Sequence, residues 1–218
     1  GEVVNPERKL SYRDFDPVAL TGGFCVNYVV RDESPWMTLA ELVKAAKEKP
    51  GQIVTGVNIG ALNHMALGIL ERAANIQLRF AQIGGGSENY AALKGGTTQL
   101  TVLSTSEWQT YKGGGVRALA LAAPQRHPLQ PEIPTAKEAG FDAEFCVKGY
   151  WFAPKGTPPA VIDTLATALE KAMASSEVKA AQDRQASTSE VLAGAAFKTH
   201  LDETFKAFEP IARQLVKK

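Results

Sequence analysis

Three short runs of small residues stand where bare backbone amides could do chemistry. They are Asn58-Ile59-Gly60-Ala61-Leu62 within "GQIVTGVNIGALNHMALGIL", Gly84-Gly85-Gly86-Ser87, and Ser104-Thr105-Ser106. Each follows a short apolar run and precedes a segment of helical periodicity, so each reads as strand, loop, helix start. The first turn of a helix leaves N–H groups without intrahelical partners, and the helix dipole adds partial positive charge there. A small anion can be held by such amides with no Lys or Arg. One loop of this kind is more simply a tight connection. Three on one sheet edge bring an anion site level with that plain reading. The candidate residues are Asn58, Gly60, Ala61, Asn63 and His64 from the first loop, Gly85, Gly86 and Ser87 from the second, and Ser104, Thr105 and Ser106 from the third.

Other chemistries find little support. There is no G-x-x-x-x-G-K-[ST] phosphate loop, no G-x-G-x-x-G and no G-x-S-x-G elbow. Cys25 and Cys146 show no metal-ligand spacing, and His64, His127 and His200 are isolated. Packing or surface roles suffice for all five, so no metal site, cofactor or catalytic residue is expected. An enzyme acting on a small organic acid stays open as the competing reading. It would have to draw on Glu88 and Glu107 as carboxylates and His64 as a base.

The chain has 218 residues, 44% hydrophobic and 22% charged, which is ordinary globular composition with enough length for a sizeable core. The formal net charge is +1, from 24 basic and 23 acidic residues, so no strong field draws it to nucleic acid or an anionic membrane. No basic stripe interleaved with aromatics marks a nucleic-acid binder. No apolar run is long enough to insert in a bilayer. The opening "GEVVNPERKL" is polar, which fits a cytoplasmic protein or equally a processed or truncated exported one.

The elements that must position the loops follow from pattern. "FCVNYVV" (24–30) reads as a buried strand. Thr38 and Glu41 form a capping box opening a helix with Leu39, Leu42, Val43 and Ala46 on one face, ended at Pro50-Gly51. Strands are expected near 53–57, 76–82, 100–103 and 116–123, with helices beginning near Asn63, Glu88 and Ser106. This alternation predicts βαβ units and a parallel sheet covered on both faces, with ligands outside the carboxyl ends of the strands. After Ala123 a Pro-rich connection leads to a second capping box, Thr135 with Glu138, and a short helix ended by Gly140. "AEFCVKGYWFAP" (143–154) reads as a strand. Thr157 is the expected N-cap of a long amphipathic helix with Pro158 in its first position. The last helix, 196–215, carries Phe197, Leu201, Phe205, Phe208, Ile211 and Leu215 as a core stripe.

Several stretches, in order, carry a resemblance: "NPERKLSYRDFDPVAL", "MTLAELVKAAKEKPGQI", "NIGALNHMALGIL", "GGGSENYAALKGG", "TSEW", "GGGVRALALAAPQRHPLQPEIPTAKEAGF" and "GYWFAPKGTPPAVIDTLATALEKAM". Together they resemble the extracytoplasmic solute-binding proteins of tripartite tricarboxylate transporters, the Bug family, over essentially the whole chain. The resemblance implies an α/β, periplasmic-binding-protein-like fold of two domains with a ligand cleft. It implies a small-carboxylate ligand gripped by backbone amides, small hydroxyls and ordered water, delivery to membrane permease subunits, and a periplasmic address. A ligand-presenting role beside a sensor is compatible with the same fold.

Two departures from the family pattern stand out. Gly60-Ala61-Leu62-Asn63 lacks the Ser or Thr that usually precedes the His, and Leu62 is apolar. The family's first strand and its acidic Gly-rich loop have no counterpart, so the first domain reads as incomplete and a non-binding truncated form enters as a further alternative. The layout this gives is a lead-in over 1–14, an α/β ligand-binding domain over 15–136, and a segment 137–218 contributing to the other domain. On the family layout the strands holding Cys25 and Cys146 flank the crossings between domains. Two separate buried thiols are the expected state, and a single disulfide closing in an oxidising compartment is the alternative.

Overall fold

The computed structural model describes residues 11–216, and the side chains of Ala212 and 214–216 are not described. Most of the lead-in therefore lies outside the described residues, as does the side chain of Leu215. By backbone contacts the chain divides into two compact units. One is Cys25–Cys146, and the other combines the flanks, 1–24 and 147–218.

The Cys25–Cys146 unit holds the loops. Strand β1 (Phe15–Arg31) enters it, followed by α1 (Leu39–Glu48), β2 (Val54–Val57), α2 (Leu62–Ala74), β3 (Arg79–Gln82), α3 (Gly86–Lys94), β4 (Thr101–Ser104), α4 (Thr105–Tyr111) and β5 (Val116–Leu121). The capping box predicted at Thr38 and Glu41 is formed, and Leu39, Leu42, Val43 and Ala46 are the buried face of α1.

β2 and β3 pair in parallel over Val54–Val57 and Arg79–Gln82, and a parallel bridge joins Thr55 to Leu100 at the start of β4. β1 pairs antiparallel with both β4 and β5. The sheet is therefore mixed rather than all parallel as predicted. The alternation of strand and helix was read correctly, but strand direction is not written in hydrophobic runs, and β1 enters against its neighbours. The core joins Cys25 and Val29 of β1 to Leu93, Leu103, Trp108, Val116, Leu121, Ala123 and Ile133.

Two local expectations in this unit are corrected. The predicted helix after Thr135 is only a series of turns, although the reciprocal Thr135–Glu138 bonds are made (3.0 and 2.6 Å). The stretch 76–82 is extended as a named strand only from Arg79, because Ile76 to Leu78 serve as the exit from α2, with Leu78 N–H donating to the buried carboxylate of Glu71 (2.7 Å).

The flanking unit contains the first half of β1 with β6 (Cys146–Pro154), α5 (Pro159–Ala174), α6 (Ser176–Arg184), β7 (Thr188–Ala193) and α7 (Gly194–Val216). β7 runs antiparallel to β1 over Ala19–Gly23, and β6 also pairs with β1. Neither α6 nor β7 was anticipated. The α5 helix starts one residue later than predicted, with Pro158 as N-cap and Pro159 first. Thr157 is committed elsewhere: its N–H donates to Asp16 and its hydroxyl to Pro154 O. Phe197 and Leu201 of α7 are buried against Leu20, as the stripe predicted, while Phe205, Phe208 and Ile211 are half-buried.

Cys25 and Cys146 form a disulfide, not the two separate thiols expected, because β1 and β6 pair and bring the two residues together. It joins the first and last residues of the loop-bearing unit and encloses it as a covalent ring.

Candidate functional site

Because β2, β3 and β4 are parallel, their carboxyl ends share one edge of the sheet. The loops that leave them are the three the sequence singled out, and each opens directly into a helix: α2, α3 and α4. The helix starts fall earlier than expected. α3 begins at Gly86 with Gly85 as N-cap, and α4 begins at Thr105 with Ser104 as N-cap. Gly86, Ser87, Thr105 and Ser106 are therefore first-turn residues rather than loop.

Side chains of this edge lock the first loop. Asn58 N–H donates to Asn63 Oδ1 (3.0 Å), Ile59 N–H to Gln82 Oε1 (2.7 Å), Gly60 N–H to His64 Nδ1 (3.1 Å) and Ala61 N–H to Asn58 O (2.9 Å). Gly60 turns with φ +81°, a conformation glycine adopts without strain. His64 is buried, with its ring edge-on to Phe80 at 4.5 Å between centroids. It caps the loop locally, and its ring is packed rather than presented to solvent. Asn63 also reaches the second loop, donating from Nδ2 to Gly84 O (3.1 Å). Asn89 donates to the same carbonyl (2.8 Å) from a fully buried position.

This accounting changes which amides can receive a ligand. Those of Asn58, Gly60 and Ala61 are already engaged, so these residues shape the loop. Among the described residues nothing accepts from the N–H groups of Leu62 and Asn63, the first two of α2. The N-cap Ala61 makes no side-chain cap bond, Asn63 Oδ1 accepts from His64 N–H (2.9 Å), and no acidic residue stands in the first turn.

The other two helix starts carry their own carboxylates. At α3, Ser87 Oγ donates to Glu88 Oε2 (3.1 Å). Glu88's own N–H, the Ser87 hydroxyl and the Gly85 N–H together hold its carboxyl below the ordinary value, against a smaller opposing effect of burial. At α4, Ser104 N–H donates to Glu107 Oε2 (2.8 Å) and Glu107 N–H to Ser104 Oγ (3.1 Å), a complete capping box. Glu107 lies against Gly86 so closely that a Cβ there would stand 1.6 Å from its Oε1. Thr105 is buried, and its carbonyl accepts from Gln130 Nε2 (3.2 Å), whose Oε1 accepts from Asn27 Nδ2 (3.2 Å).

Of the predicted residues, the topology thus gathers all eleven at one edge. It leaves Asn63, Gly86, Ser87 and Ser106 with backbone amides that no described residue uses. Sequence reasoning missed Gln82 and Gln130, and it named Glu88 and Glu107 only as carboxylates for an enzyme, not as partners of the helix starts. The Glu107 cap was findable, since Ser104-x-x-Glu107 repeats the Thr38-x-x-Glu41 spacing. A separate groove of about 380 Å³ on α1, lined by Ala40, Val43, Lys44, Lys47, Glu48 and Phe141, shares no residue with this edge.

Comparison with known proteins gives the geometry a lineage. The profile described as "Tripartite tricarboxylate transporter family receptor" matches residues 4–195. A protein of the tcbD-tcbE intergenic region of Pseudomonas sp. (strain P51) is 35% identical over 172 residues, covering 77% of this chain and 51% of that one. The chain spans about half the length of the curated relatives it matches. Among solved structures, a TctC solute-binding protein from Polaromonas superposes with TM-score 0.82 at 24% identity, covering 98% of this chain and 74% of that one. The periplasmic binding protein BugD superposes with TM-score 0.72 at 26% identity, covering 93% and 68%. MatC from Rhodopseudomonas palustris, solved with bound malate, does so with TM-score 0.74 at 23% identity, covering 99% and 74%. These likenesses give an α/β, periplasmic-binding-protein-like fold, and on the profile match the chain belongs to the tripartite tricarboxylate transporter receptor family, the TctC or Bug solute-binding proteins.

Proposed function

We propose that this chain captures a small carboxylate outside the cytoplasm and delivers it to the membrane permease subunits of a tripartite tricarboxylate-type transporter, without chemistry of its own. The observation that carries the reading is the shared edge of β2, β3 and β4, where three helix starts built from small residues converge. Carboxylate oxygens are received by the open amides of Leu62 and Asn63, with those of Gly86, Ser87 and Ser106 nearby. An exposed helix-start contact contributes only ~0.3–1 kcal/mol, so useful affinity needs several together. That MatC, a protein of similar fold, has been solved with bound malate supports the ligand class.

The carboxylates of this edge favour binding over catalysis, since Glu88 and Glu107 are spent as helix caps. The disulfide supports a periplasmic address, because such bonds persist in oxidising compartments. Isothermal titration with a panel of mono-, di- and tricarboxylates tests the proposal. Binding by the parent, weakened at least tenfold by Gly85→Val, is the expected result. Equal affinity for parent and variant would remove these loops as the site. Turnover of any acid would replace the receptor with an enzyme, and a chain that binds none of them would be the non-binding form.

A further inference from the structure

Resting on the carboxylate reading above, we infer that the ligand is a monocarboxylate with an apolar body rather than a di- or tricarboxylate, and that Glu88 and Glu107 set this choice. The three loops and the first turns of α2, α3 and α4 contain no Lys or Arg; the segments 51–71, 83–93 and 98–111 are free of both. Two carboxylates stand at this edge, Glu88 over Gly85 and Glu107 against Gly86. The half of the edge formed by α3 and α4 therefore carries two carboxylates, held by backbone N–H groups and facing no basic side chain from these segments. A second carboxylate on the ligand meets two like charges there, which disfavours the charged form of every partner.

The half formed by α2 differs in kind. Its start carries no acid, and its N-cap Ala61 makes no side-chain cap bond. Beside it two large apolar side chains face solvent, Ile59 at 59% exposure and Leu62 at 49%. Ile59 belongs to the loop whose amides are locked by Asn63, Gln82 and His64, and Leu62 opens α2 directly after it, so the apolar pair is held on a fixed backbone. One carboxylate group at the amides of Leu62 and Asn63 would put the rest of the ligand over these side chains. A hydrocarbon or aromatic body gains there by apolar burial. Leu62, whose apolar side chain departs from the family pattern, becomes part of the recognition.

Hexanoate and adipate share a six-carbon chain and differ by one carboxylate, so they separate the two classes. Titrated against the full 218-residue chain at neutral pH, hexanoate is expected to bind at least tenfold more tightly than adipate. In E88Q/E107Q the ratio should fall to within about threefold. At α4 Gln serves as the third residue of the capping box as Glu does, and at α3 its amide oxygen still accepts as the Glu88 carboxylate does, so the variant removes charge and keeps the fold. Adipate binding as tightly as hexanoate in the parent, or an unchanged ratio in the double variant, overturns this inference and leaves the carboxylate site standing. No binding by hexanoate, adipate or citrate overturns the site itself. The parent's ratio decides the question alone if the double variant does not fold.

Discussion

Opening the Cys25–Cys146 disulfide should destabilise the loop-bearing unit by several kcal/mol. The bond closes a segment with sequence separation 121, the whole of the Cys25–Cys146 unit. In the chain-entropy account a loop of that length gives about 5 kcal/mol, an upper figure from which native strain and residual unfolded structure subtract, so ~2–5 kcal/mol is the working range. The assay is urea unfolding followed by tryptophan fluorescence, with Trp108 buried in this unit's core. Comparing oxidised with reduced chain changes the cross-link and nothing else. C25A/C146A adds the loss of two sulfur atoms, one of them buried. With a urea slope of ~1–3 kcal/mol/M, the midpoint should fall by about 1–2 M on reduction. A midpoint that moves by less than about 0.3 M, or two free thiols on the unfolded, unreduced chain, would refute the reasoning.

Gly86→Ala should cost about 1–3 kcal/mol in chemical denaturation, as overpacking does, because its Cβ would meet the Glu107 carboxylate; a neutral result would mean Glu107 can leave its place freely. Phe197→Ala should cost ~3–5 kcal/mol in the flanking unit, where the ring is fully buried against Leu20 and Phe152; a loss below 1 kcal/mol would place α7 outside the core. Around Asp16 burial opposes ionisation, but Gly156 N–H, the Lys155 ammonium and Thr157 N–H outweigh it and hold the carboxyl below its ordinary value. A carboxyl lowered on folding stabilises above its unfolded pKa and loses that contribution as pH falls through its folded pKa. Asp16→Asn should therefore lower the midpoint at pH 7 and flatten its decline in acid, whereas an unchanged acid profile would dismiss these bonds.

The positions of the three candidate loops were legible because their signals are local. A β-branched run, small residues and a helical pattern mark each loop, and parallel pairing brings the loops together. What the sequence could not show was how the loop amides are spent. Gly60 looked open for an anion, yet its N–H is taken by His64 four residues on. Gln82 ties Ile59 across the strand pair from a register set only by tertiary pairing. The direction of β1 was hidden for the same reason, since "FCVNYVV" is apolar whichever way it runs. β7 escaped because "TSEVLA" is half-buried, polar and bounded by no strong turn signal. The cystine needed spatial proximity of residues 25 and 146, and only the family layout hinted at it.

The central claim is that a carboxylate is received at the open helix-start amides of one sheet edge. The most direct measurement is a two-dimensional ¹H–¹⁵N NMR titration of the 218-residue chain with hexanoate, after backbone assignment. The account predicts saturable shifts largest at the amides of Leu62 and Asn63, with smaller ones at Gly86, Ser87 and Ser106. Saturable shifts that leave these amides still, and centre instead on the α1 groove around Lys44, Lys47 and Phe141, would contradict it.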